Sequence, residues 1–166
     1  KLIDFYERRA RRLLPALFFV VLISLPFGWF LLKPSELIDF GESIISISIF
    51  SSNILFWLET GYFDNSSELK PLLHTWSLAV EEQFYIFFPI VFLILYSLKK
   101  AWLTTTLFII FILSFIISNI ATLGSSHPKV ISGAFFLLPF RAWELGLGVI
   151  AALYLSKLTL KNRYLN

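Results

Sequence analysis

Cysteine and methionine are both missing from this 166-residue chain, and charge is scarce, with Asp, Glu, Lys and Arg together making up 15% of the residues. Without cysteine there is no disulfide and no thiolate-bound metal, so the chain carries no mark of its redox compartment. Two isolated histidines, His74 and His127, do not make a ligand set, and no metal is expected. A translated chain normally begins with methionine, whereas this one begins Lys1-Leu2-Ile3-Asp4. It is therefore expected to be the interior of a longer protein, and no signal peptide can be read at such a start. So little charge also excludes an ordinary soluble domain, in which roughly 25% of residues are charged and roughly 45–50% apolar.

Hydrophobic residues fill the gap, at 57% of the chain with 18% aromatic. A membrane span needs roughly 20 mostly apolar residues, and five windows approach that length: Leu13–Leu32, Ile38–Leu58, Leu78–Leu98, Leu103–Leu123 and Ala134–Leu155. The second is the weakest, interrupted by Glu42, Ser43, Ser46, Ser48, Ser51, Ser52 and Asn53. Its small and hydroxylated residues suit either packing against other helices or the wall of a hydrated cavity. The fold class read from this pattern is all-α, part of a polytopic transmembrane bundle of four to five hydrophobic helices. The backbone then satisfies its hydrogen bonds within helices. The loops 60–70 and 124–132 and the tail 157–166 are too short to be more than connections.

The net charge of +3 sits mainly at the flanks of the spans rather than in a nucleic-acid-binding patch. Arg8, Arg9, Arg11 and Arg12 precede the first window, Lys99 and Lys100 follow the third, and Lys157, Lys161 and Arg163 follow the fifth. Basic flanks favour the cytoplasmic face. If all five windows cross, the two later groups lie opposite the arginines. If the second window is re-entrant or interfacial, all three groups share one side.

Three polar constellations carry chemistry. The first is Phe5-Tyr6-Glu7-Arg8-Arg9-Ala10-Arg11-Arg12-Leu13-Leu14-Pro15-Ala16. Arginine presents a planar fork of donors suited to phosphate. Arg8 with Arg11, or Arg9 with Arg12, share a helix face. Such pairs can hold an anionic cofactor, or simply meet anionic lipid headgroups.

The second is His74-Thr75-Trp76-Ser77-Leu78-Ala79-Val80-Glu81-Glu82-Gln83-Phe84-Tyr85. On a helix, Ser77 and Glu81 share a face that His74 and Tyr85 continue, while Glu82 points elsewhere. A histidine near a carboxylate is a common acid/base pair. The structural alternative makes His74 and Trp76 interfacial anchors, Ser77 a cap, and Glu81 the partner of a basic group on a neighbouring helix. A Ser77 nucleophile with His74 as base has only sequence spacing behind it.

The third is Pro139-Phe140-Arg141-Ala142-Trp143-Glu144-Leu145-Gly146-Leu147-Gly148. Arg141 and Glu144 can neutralise one another, which lowers the cost of insertion, or line a cavity. The glycines permit close helix contact. His127-Pro128 reads as a turn.

Phe5-Tyr6-x-x-Arg9-x-x-Arg12-x-x-Pro15-Ala16, His74-x-Trp76-Ser77-Leu78-x-x-Glu81-x-Gln83-Phe84-Tyr85 and Arg141-x-x-Glu144-Leu145-x-x-Gly148, in this order, resemble the acyltransferase 3 family. The resemblance implies one membrane domain, of which this chain lacks the first and the C-terminal helices. It implies an acyltransferase acting on groups other than amino-acyl groups, in the bacterial cytoplasmic membrane. The acyl group, most often acetyl, passes from acyl-CoA to a hydroxyl of an envelope glycan such as lipopolysaccharide O-antigen or peptidoglycan. Acyl-CoA is a donor substrate, with no tightly bound cofactor. The partners implied are the bilayer, acyl-CoA and a glycan or glycolipid acceptor, with no nucleic acid.

By the same resemblance, Arg9, Arg12 and Arg8 lie on the acyl-CoA side. Glu81 is the preferred catalytic residue, with Ser77 and His74 behind it. Trp76, Tyr85, Arg141 and Glu144 are substrate contacts. The family's catalytic histidine belongs to a helix upstream of the arginine motif, so His74 does not take its role by position, and the piece is expected to be inactive alone. A glycan flippase or a non-catalytic assembly subunit would also carry polar residues within its spans and a basic edge.

Overall fold

The computed structural model describes residues 2–60, 70–98 and 102–163. Among them the regular structure is entirely helical: α1 (Leu2–Leu31), α2 (Pro34–Ser48), α3 (Ser52–Glu59), α4 (Thr75–Leu98), α5 (Leu103–Leu123), α6 (Pro128–Phe136) and α7 (Leu138–Arg163). The chain divides into two compact units, residues 1–89 and 90–166. Most of the loop 60–70, together with Lys99 and Lys100, lies outside the described residues, as do the side chains of Lys157, Lys161 and Arg163.

In the first unit, α1 presents a narrow stripe of Leu17, Val21 and Gly28 to the interior, the i, i+4, i+11 spacing of one helix face. Opposite it stand Phe40 and Ile47 of α2, and Leu72 completes the cluster. Gly28 has a steric reason to be glycine: an added Cβ would come within 2.7 Å of the Phe40 ring. Helix α2 opens with Pro34 at its first turn, and the Glu36 carboxylate accepts the Lys33 backbone N–H at 3.1 Å. Both are start signals legible in the sequence. Most other apolar side chains of α1, among them Phe19, Leu22, Phe27 and Phe30, are exposed on this chain.

The second apolar window is not one helix. It breaks after Ser48, and the halves, of 15 and 8 residues, are each shorter than the roughly 20 a span needs. The Ser51 N–H bonds the Ser46 carbonyl at 2.8 Å and the Phe50 N–H bonds the Ile47 carbonyl at 3.1 Å. These are the two bonds of a Schellman turn, which puts the following residue in the left-handed region. That residue is Phe50, with φ 55°. Glycine usually fills the position, because an L side chain there costs about 1–2 kcal/mol.

The second unit packs Leu107, Phe111, Ser114 and Ala121 of α5 inward. The fifth window, expected as one helix over Ala134–Leu155, is divided at Leu137, whose backbone is extended. Pro139 explains the division: proline has no N–H for an interior helix bond, and its ring opposes the preceding turn. The first turn of a new helix needs neither. The Ser114 hydroxyl then donates to the Pro139 carbonyl at 2.7 Å and accepts the Trp143 N–H at 3.2 Å. It thus bridges two groups that a regular helix would join directly. Trp143 also stands edge-on to Phe115, with ring centroids 5.0 Å apart. His127 precedes α6 with Pro128 in the first turn, the turn role its sequence suggested.

Four stretches are long and apolar enough to cross a membrane: Leu2–Leu31, Thr75–Ser97, Leu103–Leu123 and Pro128–Leu155.

The two glycines of the third constellation differ sharply. A Cβ on Gly146 would penetrate the Phe111 ring, whereas one on Gly148 meets nothing within 4 Å in this chain. Gly146→Ala should therefore destabilise the complete protein by about 1–3 kcal/mol, while Gly148→Ala should be neutral or stabilise by up to about 1 kcal/mol. Thermal unfolding in detergent would check this, and equal shifts for the two variants would contradict it.

Candidate functional site

The polar residues of the first unit converge where α1 meets the opening turns of α4. Glu82 lies on the interior face of α4, at i+7 from Thr75 and i+3 from Ala79, both buried, which is one stripe of a 3.6-residue helix. Its side chain keeps only 6% of its exposure. A carboxylate so buried is costly unless paired, and its partner is Arg9 of α1. The Arg9 Nε–H donates to both Glu82 oxygens at 2.9 Å, and a terminal guanidinium N–H donates to Oε1.

The same guanidinium lies over the Tyr85 ring, 3.4 Å from its centroid, a stacking worth about 0.5–2 kcal/mol. One turn earlier on α1, the Tyr6 hydroxyl donates to the Ile86 carbonyl at 2.9 Å. Arg9 is thus held by a carboxylate and an aromatic face, and α1 is fixed to α4 in one register.

The other arginines part company with it. Arg11 is exposed and bonds Glu7 one turn away at 2.7 Å. Arg8 and Arg12 are exposed and have no ion pair among the described residues. Together with Arg9, Phe5 and Leu13 they line an open recess of about 240 Å³. A second recess of about 170 Å³ shares Arg9 and Leu13 with the first, but is walled mainly by apolar groups including Ala10, Leu14, Phe50 and Ile86. Arg8 and Arg12 thus border the first recess, and the Arg9–Glu82 pair stands where it meets the largely apolar second one.

Next to Glu82, Gln83 reaches a different element. Its Nε2 donates to the Phe50 carbonyl at 2.9 Å and to Asn53 Oδ1 at 2.8 Å, and Asn53 Nδ2 returns a bond to Gln83 Oε1 at 3.4 Å. Asn53 is fully buried, so this amide pair satisfies groups that would otherwise be stranded. Ser52 donates to the Thr75 carbonyl at 3.1 Å. The α2–α3 elbow is pinned to α4 at both places.

Of the predicted catalytic residues, Ser77 and Glu81 are on α4 and face outward, and His74 lies in the turn just before it. His74, Ser77 and Glu81 are exposed, and Trp76 is half-buried. The Ser77 hydroxyl donates to the His74 carbonyl at 3.3 Å, and no hydrogen bond joins it to the His74 imidazole among the described residues. Glu81 lies within electrostatic reach of Arg9 without bonding it. The carboxylate that pairs with a neighbouring helix is Glu82, which the sequence pattern places away from the Ser77–Glu81 face, and the Tyr6 bond to Ile86 and the Asn53 bonds to Gln83 fix α4 beside it without a signal in the spacing. In the second unit Arg141 and Glu144 bond one another, Nε to Oε2 at 3.0 Å, as their spacing suggested. The Arg141 guanidinium also lies 5.9 Å from the Phe135 ring centroid.

No group of three or more His, Asp or Glu side chains among the described residues could hold a metal ion. The first unit thus offers the exposed guanidinium groups of Arg8 and Arg12 beside the paired Arg9, and an exposed group of His74, Ser77 and Glu81 at the start of the helix that carries Glu82.

Because Glu82 is the more deeply buried partner, Arg9→Met should strand its charge and cost about 3 kcal/mol. The double change Arg9→Met with Glu82→Leu should recover most of that loss. A double-mutant cycle on thermal stability in detergent measures the coupling, and additive losses would show that the pair does not join the two helices.

The description "Acyltransferase domain" belongs to the acyltransferase 3 family model, which matches residues 1–165. An O-acetyltransferase, OatA of Staphylococcus aureus strain NCTC 8325, is 35% identical over 114 residues, covering 68% of this chain and 19% of that protein. A protein of S. aureus strain COL, named "Putative O-acetyltransferase", is 35% identical over 168 residues, covering 98% of this chain and 26% of that protein. The chain thus spans about a fifth to a quarter of the length of these relatives. No solved structure matches it. With the arginine, histidine–glutamate and arginine–glutamate motifs all within the matched residues, this chain belongs to the acyltransferase 3 family.

Proposed function

We propose that the complete protein is a membrane O-acyltransferase, more narrowly an O-acetyltransferase. It moves an acyl group from acyl-CoA to a hydroxyl of a cell-envelope saccharide, such as peptidoglycan or lipopolysaccharide O-antigen, in the bacterial cytoplasmic membrane. The observation that carries this reading is the arginine recess. Arg8 and Arg12, without an ion pair among the described residues, stand beside Arg9, whose charge Glu82 already neutralises, in a chain whose relatives bear O-acetyltransferase names. Phosphate accepts the donors of such a pair of guanidinium groups, and the bonds are strengthened by charge on both sides.

The reaction forms a carbon–oxygen bond between the sugar hydroxyl and the thioester carbonyl and breaks the carbon–sulfur bond. The hydroxyl proton leaves to a base and reaches the departing thiolate, so that coenzyme A is released as a thiol. Positioning of the two substrates and stabilisation of the oxyanion supply the acceleration. Within this chain Glu81 is the first candidate to orient the acceptor hydroxyl, with Ser77 and His74 behind it on the same exposed face. Trp76, Tyr85, Arg141 and Glu144 are the further substrate contacts. A base outside these residues, the histidine that the family places on an earlier helix, completes the set.

The test is transfer of a labelled acetyl group from acetyl-CoA by the complete protein in liposomes, with envelope glycans analysed by mass spectrometry in cells with and without it. Loss of an acetyl mass increment from one glycan identifies the acceptor, and no transfer to any glycan refutes the reading. Arg8→Ala and Arg12→Ala should each raise the KM for acetyl-CoA about tenfold, the equivalent of one charge-assisted hydrogen bond, while membrane insertion is unchanged. An unaltered KM in both variants would place the donor elsewhere.

A further inference from the structure

Phe50 occupies a position where its own side chain is a disadvantage. It is the left-handed residue of the turn that ends α2, the place where glycine is most at ease, and the elbow is held there by the Gln83 bond to the Phe50 carbonyl. A strained residue kept in place by its surroundings points to a use for the side chain. The ring is half-buried, packs against the cluster of Leu17, Val21, Phe40, Ile47 and Leu72, and forms part of the wall of the 170 Å³ recess. That recess shares Arg9 and Leu13 with the arginine-lined one. An anion seated against Arg8 and Arg12 therefore has a largely apolar chamber adjoining it, with the Arg9–Glu82 pair in its wall, and among the described residues Phe50 is the lining residue that the α2–α3 elbow contributes.

We infer that Phe50 is the determinant of acyl-chain length, its ring bounding the chamber that receives the acyl end of the thioester donor. This rests on the acyl-CoA reading above and adds to it a named specificity residue. The backbone makes the proposal unusually testable. Glycine suits the φ of 55° better than phenylalanine does, so Phe50→Gly relieves the turn while it removes the ring. Phe50→Leu retains apolar packing against the cluster and shortens the side chain by a lesser amount.

The experiment uses the complete protein in liposomes and measures kcat/KM for acetyl-, butyryl- and hexanoyl-CoA. The readout is the ratio of longer to acetyl donor, which is independent of how much protein folds. Wild type should favour acetyl-CoA. Phe50→Gly should raise the butyryl-to-acetyl ratio at least tenfold, and Phe50→Leu should raise it by less. Phe50→Trp, which fills the chamber, should not raise it. An unchanged ratio in Phe50→Gly and Phe50→Leu would overturn the proposal, because a lipid tail or another helix of the complete protein would then fill the chamber, while acyl transfer itself would stand. Absence of transfer from every donor by the wild type would instead overturn the acyltransferase reading, and this inference with it.

Discussion

The Arg9–Glu82 pair is the constraint on which the first unit depends. In a chain with so little charge, a carboxylate with a side chain 6% exposed is tolerated only because a guanidinium meets it in two-point geometry and an aromatic ring backs that guanidinium. The pair fixes the register of α1 against α4. That register leaves Arg8 and Arg12 of α1, which have no carboxylate partner among the described residues, at the edge of a recess. Arginines one and three residues apart thus differ: Arg9 holds the helices together, and Arg8 and Arg12, exposed beside it, are the two to which we assign the anion.

Neighbouring residues on α4 divide the rest of the fixing between them. Glu82 captures α1, and Gln83, rotated about 100° around the helix, captures the elbow between α2 and α3. The elbow exists because a Schellman turn stops α2 after 15 residues; Gln83 donates to the Phe50 carbonyl of that turn, and Asn53 and Ser52 tie the start of α3 to Gln83 and to the Thr75 carbonyl. The apparent second span is therefore two short helices. Its serines and asparagine serve the bend as well as helix packing.

Much of the fold was legible in the sequence because length and hydropathy are sufficient to mark spans. The windows beginning at Leu13, Leu78 and Leu103 each correspond to one long helix, and Ser43, Ser46, Ser52 and Asn53 signalled that the second window was different. The division at Leu137 follows from Pro139, a signal that was present but outweighed by the apolar run around it. The site was harder. The spacing of His74, Ser77, Glu81 and Tyr85 suggests one helix face, yet His74 precedes α4 and Tyr85 turns toward Arg9 while Ser77 and Glu81 are exposed, and periodicity alone does not say which side is turned inward. Thr75 and Ala79, small residues at four-residue spacing, mark the close-packed side and lead to Glu82. The positive φ of Phe50 had no sequence signal, since phenylalanine is the kind of residue that the position ordinarily excludes.

The central claim is that Arg8 and Arg12 hold the phosphates of a thioester donor rather than lipid headgroups. Direct binding of a non-reactive coenzyme A thioether to the complete protein, in nanodiscs made only of zwitterionic lipid, tests it with no anionic lipid to compete. The account predicts saturable binding that weakens as salt rises and is lost when both arginines are replaced by alanine. Binding of equal strength in that double variant, or none in the wild type, would contradict it.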